Sequence, residues 1–248
     1  MERFSRIQSF LGEEGFKQLQ QSFITIVGIG AVGGHVAEGL ARSGVSRLRL
    51  VDFDTIHPSN INRQIMALDT TLGRPKVEVA KERIAAINPA CRVEALQLFA
   101  GDESLEQILS PAPDILIDAI DSMNPKVQLL TAAHTRHIPI ISSMGAALRS
   151  DPTQIRIADI MDTKNCPLAR RLRQRLRRAG IERGISCVFS TEAVSYHYDE
   201  PEETPDPDEP MANRGHQRRS LGSLPTLTGI FGLVIANEVI MRLSSKQL

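Results

Sequence analysis

Two kinds of apolar pattern alternate along the chain. Runs of six to eight residues, largely apolar, mark strands: "SFITIVG" (22–28), "RLRLVD" (47–52), "CRVEALQL" (91–98), "DILIDAID" (114–121) and "IPIISSM" (138–144). Between them apolar residues recur at helical spacing. That spacing predicts helices over 31–44, ending on Gly44, over 74–89, with Pro75 near its first turn and Pro89 past its end, and over 125–137. A helical lead-in over 5–21 precedes the first strand. Alternation of this kind predicts an α/β fold, a Rossmann-like, doubly wound, mostly parallel sheet.

The second half is less regular and predicts a C-terminal extension of further strands and helices. "TQIRIADI" (153–160) alternates as a strand does, 167–180 reads as a helix from Pro167 to Gly180, "CVFSTEAVSY" (187–196) is strand-like, and 224–243 is a last helix. A single domain over 1–248 is expected, with a nucleotide-binding half (1–145) and a substrate- and RNA-binding half (146–248). A mobile acidic loop is expected over about 199–222, where Pro, Asp, Glu, Gly and Arg dominate.

Charge sharpens this division. The 248 residues carry 29 bases and 29 acids, but residues 199–209, "DEPEETPDPDE", hold seven of the acids. Without them 29 bases face 22 acids, a balance of +7, so the body is basic. Six arginines fall within nine residues: Arg170, Arg171, Arg173, Arg175, Arg177 and Arg178. On the predicted helix Leu168, Leu172 and Leu176 form one apolar stripe and the arginines fill most of the rest. Six mutually repelling charges without an acid point to a polyanion partner rather than a merely solvated face.

Cys91, Cys166 and Cys187 are far apart and form no CxxC pair, which argues against a zinc ribbon and a disulfide framework. Cys187, inside "SCVFST", reads as a core residue, and residues 199–222 contain no cysteine. His134 and His137 lie three apart on one helix, without a third ligand, and read as structural or surface residues. "MERFSRIQSF" lacks the apolar core of a signal peptide, and a cytoplasmic protein is expected. The apolar run before the C-terminus is interrupted by Asn237, Glu238 and Arg242 and reads as a buried helix, membrane contact being the lesser reading.

The first strand leads into "GIGAVGG" (28–34), with Gly28, Gly30 and Gly33 in the G-x-G-x-x-G spacing at the start of a helix. Such glycines permit a tight turn and close backbone approach, and the helix N-terminus attracts phosphate. Asp52 follows Gly28 by 24 residues at the end of the next strand, where an acid holds ribose hydroxyls. A dinucleotide fold stops there. This chain continues with Asn60, Asn62, Arg63 and Gln64, then Lys76. Arg63 and Lys76 supply the positive charge that a triphosphate needs and a nicotinamide does not. Asp121 ends another strand at the edge where ligands bind, and a carboxylate there holds Mg²⁺ bridging phosphates.

In order, "GIGAVGG", "VDFDTIHPSNINRQ", "LGRPKVEVAKERIAAINP" and "DAIDS" resemble the ubiquitin-activating-enzyme-like adenylyltransferases, over roughly residues 1–145. The resemblance implies adenylation of a carboxylate with release of pyrophosphate. Asp52 would bind ribose; Asn60, Arg63, Gln64 and Lys76 the phosphates; Asp121 Mg²⁺. It also implies that Arg6, or failing it Arg3, reaches the ATP of a partner subunit in a homodimer. Relatives that adenylate a ubiquitin-like sulfur carrier usually have two CxxC zinc pairs, and this chain has none.

"SDPTQIRIADI", "CPLARRLRQRLRRAGI", "SCVFSTEAVSY" and "LPTLTGIFGLVIANEV" extend the resemblance, over nearly the whole chain, to one branch, the tRNA threonylcarbamoyladenosine dehydratases. That branch activates the threonyl carboxylate of a modified adenosine beside the tRNA anticodon, and ring closure then expels AMP. What it implies is ATP and Mg²⁺ as cofactors, sensitivity to a monovalent cation (Na⁺ or K⁺), and tRNA rather than DNA as partner, with room for a sulfur-transfer protein. Arg63, Lys76, Asp121 and Arg6 would carry the catalysis; the residues identify no general base for cyclisation. The alternatives are a sulfur-carrier adenylyltransferase, an NAD(P)-dependent oxidoreductase and a non-catalytic RNA-binding scaffold that keeps ATP as a ligand.

Overall fold

The computed structural model describes residues 2–194 and 221–244. One seven-stranded sheet runs through it: β1 Phe23–Val27, β2 Arg47–Val51, β3 Arg92–Leu96, β4 Ile115–Asp118, β5 Ile140–Ser143, β6 Ile155–Asp159 and β7 Ser186–Ser190, in the spatial order β3-β2-β1-β4-β5-β7-β6. All pairings are parallel except β6 with β7, so the sheet is doubly wound with an antiparallel edge contributed by the second half. The helices are α1 Ser5–Gln21, α2 Gly33–Arg42, α3 Lys76–Ile87, α4 Leu105–Leu109, α5 Met123–Thr135, α6 Pro167–Arg178 and α7 Pro225–Leu243.

The central strands are apolar on both faces because each face is covered. Ile24, Ile26, Leu48, Leu50, Ile115 and Ile117 pack with α1, α2, α3 and α7, while Val27, Val51, Leu116 and Ile140 pack with α4, α5 and α6. The C-terminal helix α7 is long and apolar enough by composition to cross a membrane, yet Leu227, Phe231, Ile235, Ala236 and Val239 are buried. Its contact with α2 is close. A Cβ on Gly232 would lie 2.6 Å from Val32 O, so only glycine lets the two backbones meet there. In α6 the expected stripe is the buried one: Leu168, Leu172 and Leu176 face the core.

Several expected elements differ. The lead-in helix is broken at Gly12, whose φ is +77°. The short α4 escaped the pattern because five residues are too few to show a period; Leu105, Ile108 and Leu109 bury its inner face. The strand expected over 187–196 ends at Ser190. Just beyond it Glu192 turns back to accept hydrogen bonds from Ser150 N and Asp151 N at 2.9 and 3.0 Å. Most of the expected acidic loop, including 199–209, lies outside the described residues.

Candidate nucleotide site at the carboxyl edge of the sheet

The strand order reverses between β1 and β4. The carboxyl edge at such a reversal is where doubly wound sheets bind ligands. The glycine turn lines one side. Gly28 has φ +92°, and a Cβ on it would sit 2.7 Å from Ala119 O; one on Gly33 would sit 1.8 Å from Gly28 O. Packing alone therefore explains both. Gly30 is different, because its nearest neighbour would be Gln64 Nε2 at 3.8 Å. The space before Gly30 is open, as phosphate approach to the backbone requires.

Asp52 ties this turn to the next strand. Its Oδ2 accepts from Ile29 N at 2.7 Å and its Oδ1 from Asp54 N at 2.9 Å. Burial pushes its carboxyl up, against the lowering effect of the Lys76 charge and these two N–H groups. Lys76 is the first residue of α3 and is 5% exposed. It reaches this spot because the 54–76 loop closes on itself: Ile56 N donates to Arg74 O at 2.9 Å, Gly73 N to Ile56 O at 2.8 Å and Lys76 N to Asp54 O at 3.1 Å. Its Nζ lies 2.6 Å from Asp54 Oδ2.

Within that loop the other expected phosphate ligands occupy distinct positions. Asn60 is buried and its Oδ1 accepts from His57 N at 3.0 Å, so it braces the loop. Arg63 is half-buried and its Nη1 donates to Ser59 O and Asn62 Oδ1, both at 2.9 Å. Gln64 is buried; its Nε2 borders Gly30, and its Oε1 lacks a partner among the described residues. A buried amide whose nitrogen borders an open glycine backbone and whose oxygen is unsatisfied fits a polar ligand group at this spot.

Asp121 does not end a strand. β4 stops at Asp118, because Asp118 Oδ1 accepts from Ile120 N at 3.1 Å and the backbone turns. Asp121 is exposed on the turn into α5. The described residues contain no group of three or more His, Cys, Asp or Glu able to hold a metal ion. A single exposed carboxylate suits a Mg²⁺ whose remaining ligands are phosphates and water.

Sequence reasoning missed the pair beneath this turn. Lys126 and Asp118 are both fully buried, with Lys126 Nζ 2.7 Å from Asp118 Oδ2. The other two protons of Lys126 go to Ile120 O at 3.0 Å and Ser143 O at 2.9 Å, and Ser142 Oγ donates to Asp118 Oδ2 at 2.6 Å. One lysine thus anchors the backbone next to Asp121 to the ends of β4 and β5. The available signal was a lysine on the stripe of Leu129, Leu130 and Ala133, where a core contact is normally apolar.

The expected RNA-binding helix abuts the same mouth. Arg175 of α6 bonds Asn124 Oδ1 in the first turn of α5, three residues past Asp121. Arg170, Arg175, Arg177 and Arg178 are exposed. Arg171 and Arg173 are half-buried, and Arg173 bonds Thr163 O at 3.0 Å and Thr163 Oγ1. Arg6 is exposed on α1 and lines an open groove of about 570 Å³ with Ser5, Ser9 and Phe10; Arg3 bonds Ile87 O. Cys166 and Cys187 are buried, and burial pushes the Cys91 thiol up to about 11 and that of Cys187 higher still. His134 Nε2 lies 3.0 Å from Arg183 O.

Comparison with known proteins covers both halves. The model of the ThiF family matches residues 3–248. A Bacillus subtilis tRNA threonylcarbamoyladenosine dehydratase is 39% identical over 98% of this chain and 95% of its own. Crystal structures of the Escherichia coli tRNA N6-threonylcarbamoyladenosine dehydratase in complex with AMP and with ATP, each 34% identical, superpose with TM-scores of 0.86 and 0.84 over 99% and 100% of this chain and 95% and 97% of theirs. A Salmonella typhimurium molybdopterin-synthase adenylyltransferase is 33% identical but over only 56% of this chain and 54% of its own.

Proposed function

The chain belongs to the ThiF family, and on that premise we propose that it uses ATP to cyclise the threonylcarbamoyl group of a modified adenosine beside the tRNA anticodon. The observation that carries this reading is where the similarities end. Molybdopterin-synthase adenylyltransferase shares little more than half of the chain, whereas the tRNA-modifying relative continues through the basic helix α6 and on to α7.

The reaction has two steps. The threonyl carboxylate, ionised at neutral pH, attacks the α-phosphorus, and the bond to the β-phosphate breaks with release of pyrophosphate. A nucleophile of the carbamoyl group then attacks the acyl carbon, gives up its proton and expels AMP, so the substrate loses the elements of water. The protein's contribution is orientation and charge. Asp52 holds the ribose, and the Gly30 backbone with Arg63, Gln64 and Lys76 faces the phosphates, Asn60 bracing their loop. Mg²⁺ held by Asp121 would neutralise phosphate charge. The exposed arginines of α6 take the RNA backbone. Arg6, projecting from α1 beside the 56%-exposed Phe10, supports a homodimer in which it reaches the neighbouring subunit's ATP. A monovalent cation requirement and a cytoplasmic location complete the reading.

The test is mass spectrometry of nucleosides from tRNA incubated with enzyme, ATP and Mg²⁺. A loss of one water from the threonylcarbamoyl nucleoside is expected. Pyrophosphate release with a sulfur-carrier protein and none with tRNA would overturn the reading.

A further inference from the structure

Arg149 stands on the loop after β5 and is 3% exposed. Its Nη2 donates to Asn165 O at 2.9 Å, while Nε and Nη1 are buried without a hydrogen-bond partner among the described residues. Arginine cannot shed its charge, so a buried, half-paired guanidinium is unfavourable until an acceptor arrives. Glu192 gives it no hydrogen bond, although that carboxyl, lowered chiefly by the Asp151 and Ser150 N–H groups, is lowered by the Arg149 charge as well. Its oxygens accept from Ser150 N, Ser150 Oγ and Asp151 N between 2.8 and 3.2 Å. The surrounding backbone is strained to hold this arrangement. Leu148, just before Arg149, has φ +61°, and Asn165, whose carbonyl orients it, has φ +55°. For a leucine that conformation is an outlier, and such strain collects at functional sites.

The position suits the reaction. Asn165 Nδ2 donates to Thr191 O at 2.8 Å, at the carboxyl end of β7, so Arg149 sits on the same edge of the sheet as the glycine turn. β5 lies beside β4, whose turn bears Asp121. Asn165 also lies two residues before the start of α6.

We propose that Arg149 receives the acyl group of the substrate, donating to an oxygen of the threonylcarbamoyl moiety, and so selects modified over unmodified tRNA. Its burial separates it from the exposed arginines of α6. A small acyl group inserted at the edge reaches a buried guanidinium, whereas the solvated phosphate backbone meets the helix surface. The proposal rests on the substrate assigned above.

The test compares the full-length protein with Arg149→Gln and Arg149→Lys in binding modified and unmodified forms of the same tRNA, alongside ATP affinity and thermal unfolding. Arg149→Gln should weaken modified tRNA by roughly ten- to a hundredfold, the range for a hydrogen bond to a charged group. Unmodified tRNA, ATP affinity and Tm should not fall. Arg149→Lys should restore part of the discrimination and serves if the Gln variant does not fold. Equal weakening of both tRNAs would assign Arg149 to a phosphate, and unchanged binding or a collapse of Tm in both variants would make it structural; each result overturns the proposal. A wild-type protein that does not discriminate the two tRNAs overturns the substrate assignment as well, which keeps the two failures apart.

Discussion

Lys76 Nζ lies 2.6 Å from Asp54 Oδ2, so a lysine assigned to a triphosphate is already paired with a carboxylate of its own loop. A buried ammonium needs an anion. Asp54 is that anion in the ligand-free protein, and phosphate is its natural competitor. Replacing Asp54 by Asn should destabilise the ligand-free protein by about 2 kcal/mol, less than a fully buried pair because Asp54 is partly exposed. ATP should then raise Tm more in the variant than in the wild type. Equal ATP-induced shifts in thermal unfolding would show that Asp54 and phosphate do not compete for Lys76.

Turnover should depend on Lys76 and Asp121 separately. Lys76→Ala and Asp121→Asn should each lower the rate on the order of 10²–10³, as loss of one charge-stabilising group does. A tRNA-dependent pyrophosphate-release assay reads this directly, and a near-wild-type rate removes the role assigned to that residue.

The pair beneath Asp121 should behave as a unit. Lys126→Met leaves a buried carboxylate and Asp118→Leu a buried ammonium, each costing about 3–5 kcal/mol. The double variant has no orphan charge and should cost much less than the sum. Urea unfolding of the four proteins measures the coupling; additive losses would mean that the two charges do not stabilise each other.

The cysteines should be inert. With the Cys91 thiol raised to about 11, only about 10⁻³ of it is thiolate at pH 8, and its alkylation rate should rise about tenfold per pH unit up to pH 10. A thiol raised on folding adds stability below the unfolded value near 9 and loses it as pH climbs through 11, so alkaline titration should weaken the fold over that window. Rapid alkylation at pH 7 with loss of activity would contradict this.

RNA contact should follow exposure on α6. Arg170, Arg177 and Arg178 are exposed, and changing all three to Gln should flatten the salt dependence of tRNA affinity by about two to three units of slope. Arg173→Gln should instead lower stability, because its guanidinium holds Thr163. Anisotropy titrations at several salt concentrations separate these effects; an unchanged slope for the triple variant sinks the RNA face.

The doubly wound sheet was legible from the chain because its signals are local: two-sided apolar runs, the spacing of Gly28, Gly30 and Gly33, and the 168–172–176 leucine stripe each depend on neighbours in sequence. The acid-to-base order of Asp52, Arg63 and Lys76 was likewise legible, since one loop carries it. What tertiary structure alone decided are the pairings between distant segments. Strand 114–121 was expected to reach Asp121, but it ends at Asp118, whose carboxylate accepts from Ile120 N, and Lys126 then ties Ile120 O to Ser143 O. Arg149 reads as one more surface arginine until Asn165 and the strained Leu148 turn it inward. A charge is placed by the partners that desolvate it, and for Lys126 and Arg149 those partners lie on other elements, 6 to 17 residues away in the chain.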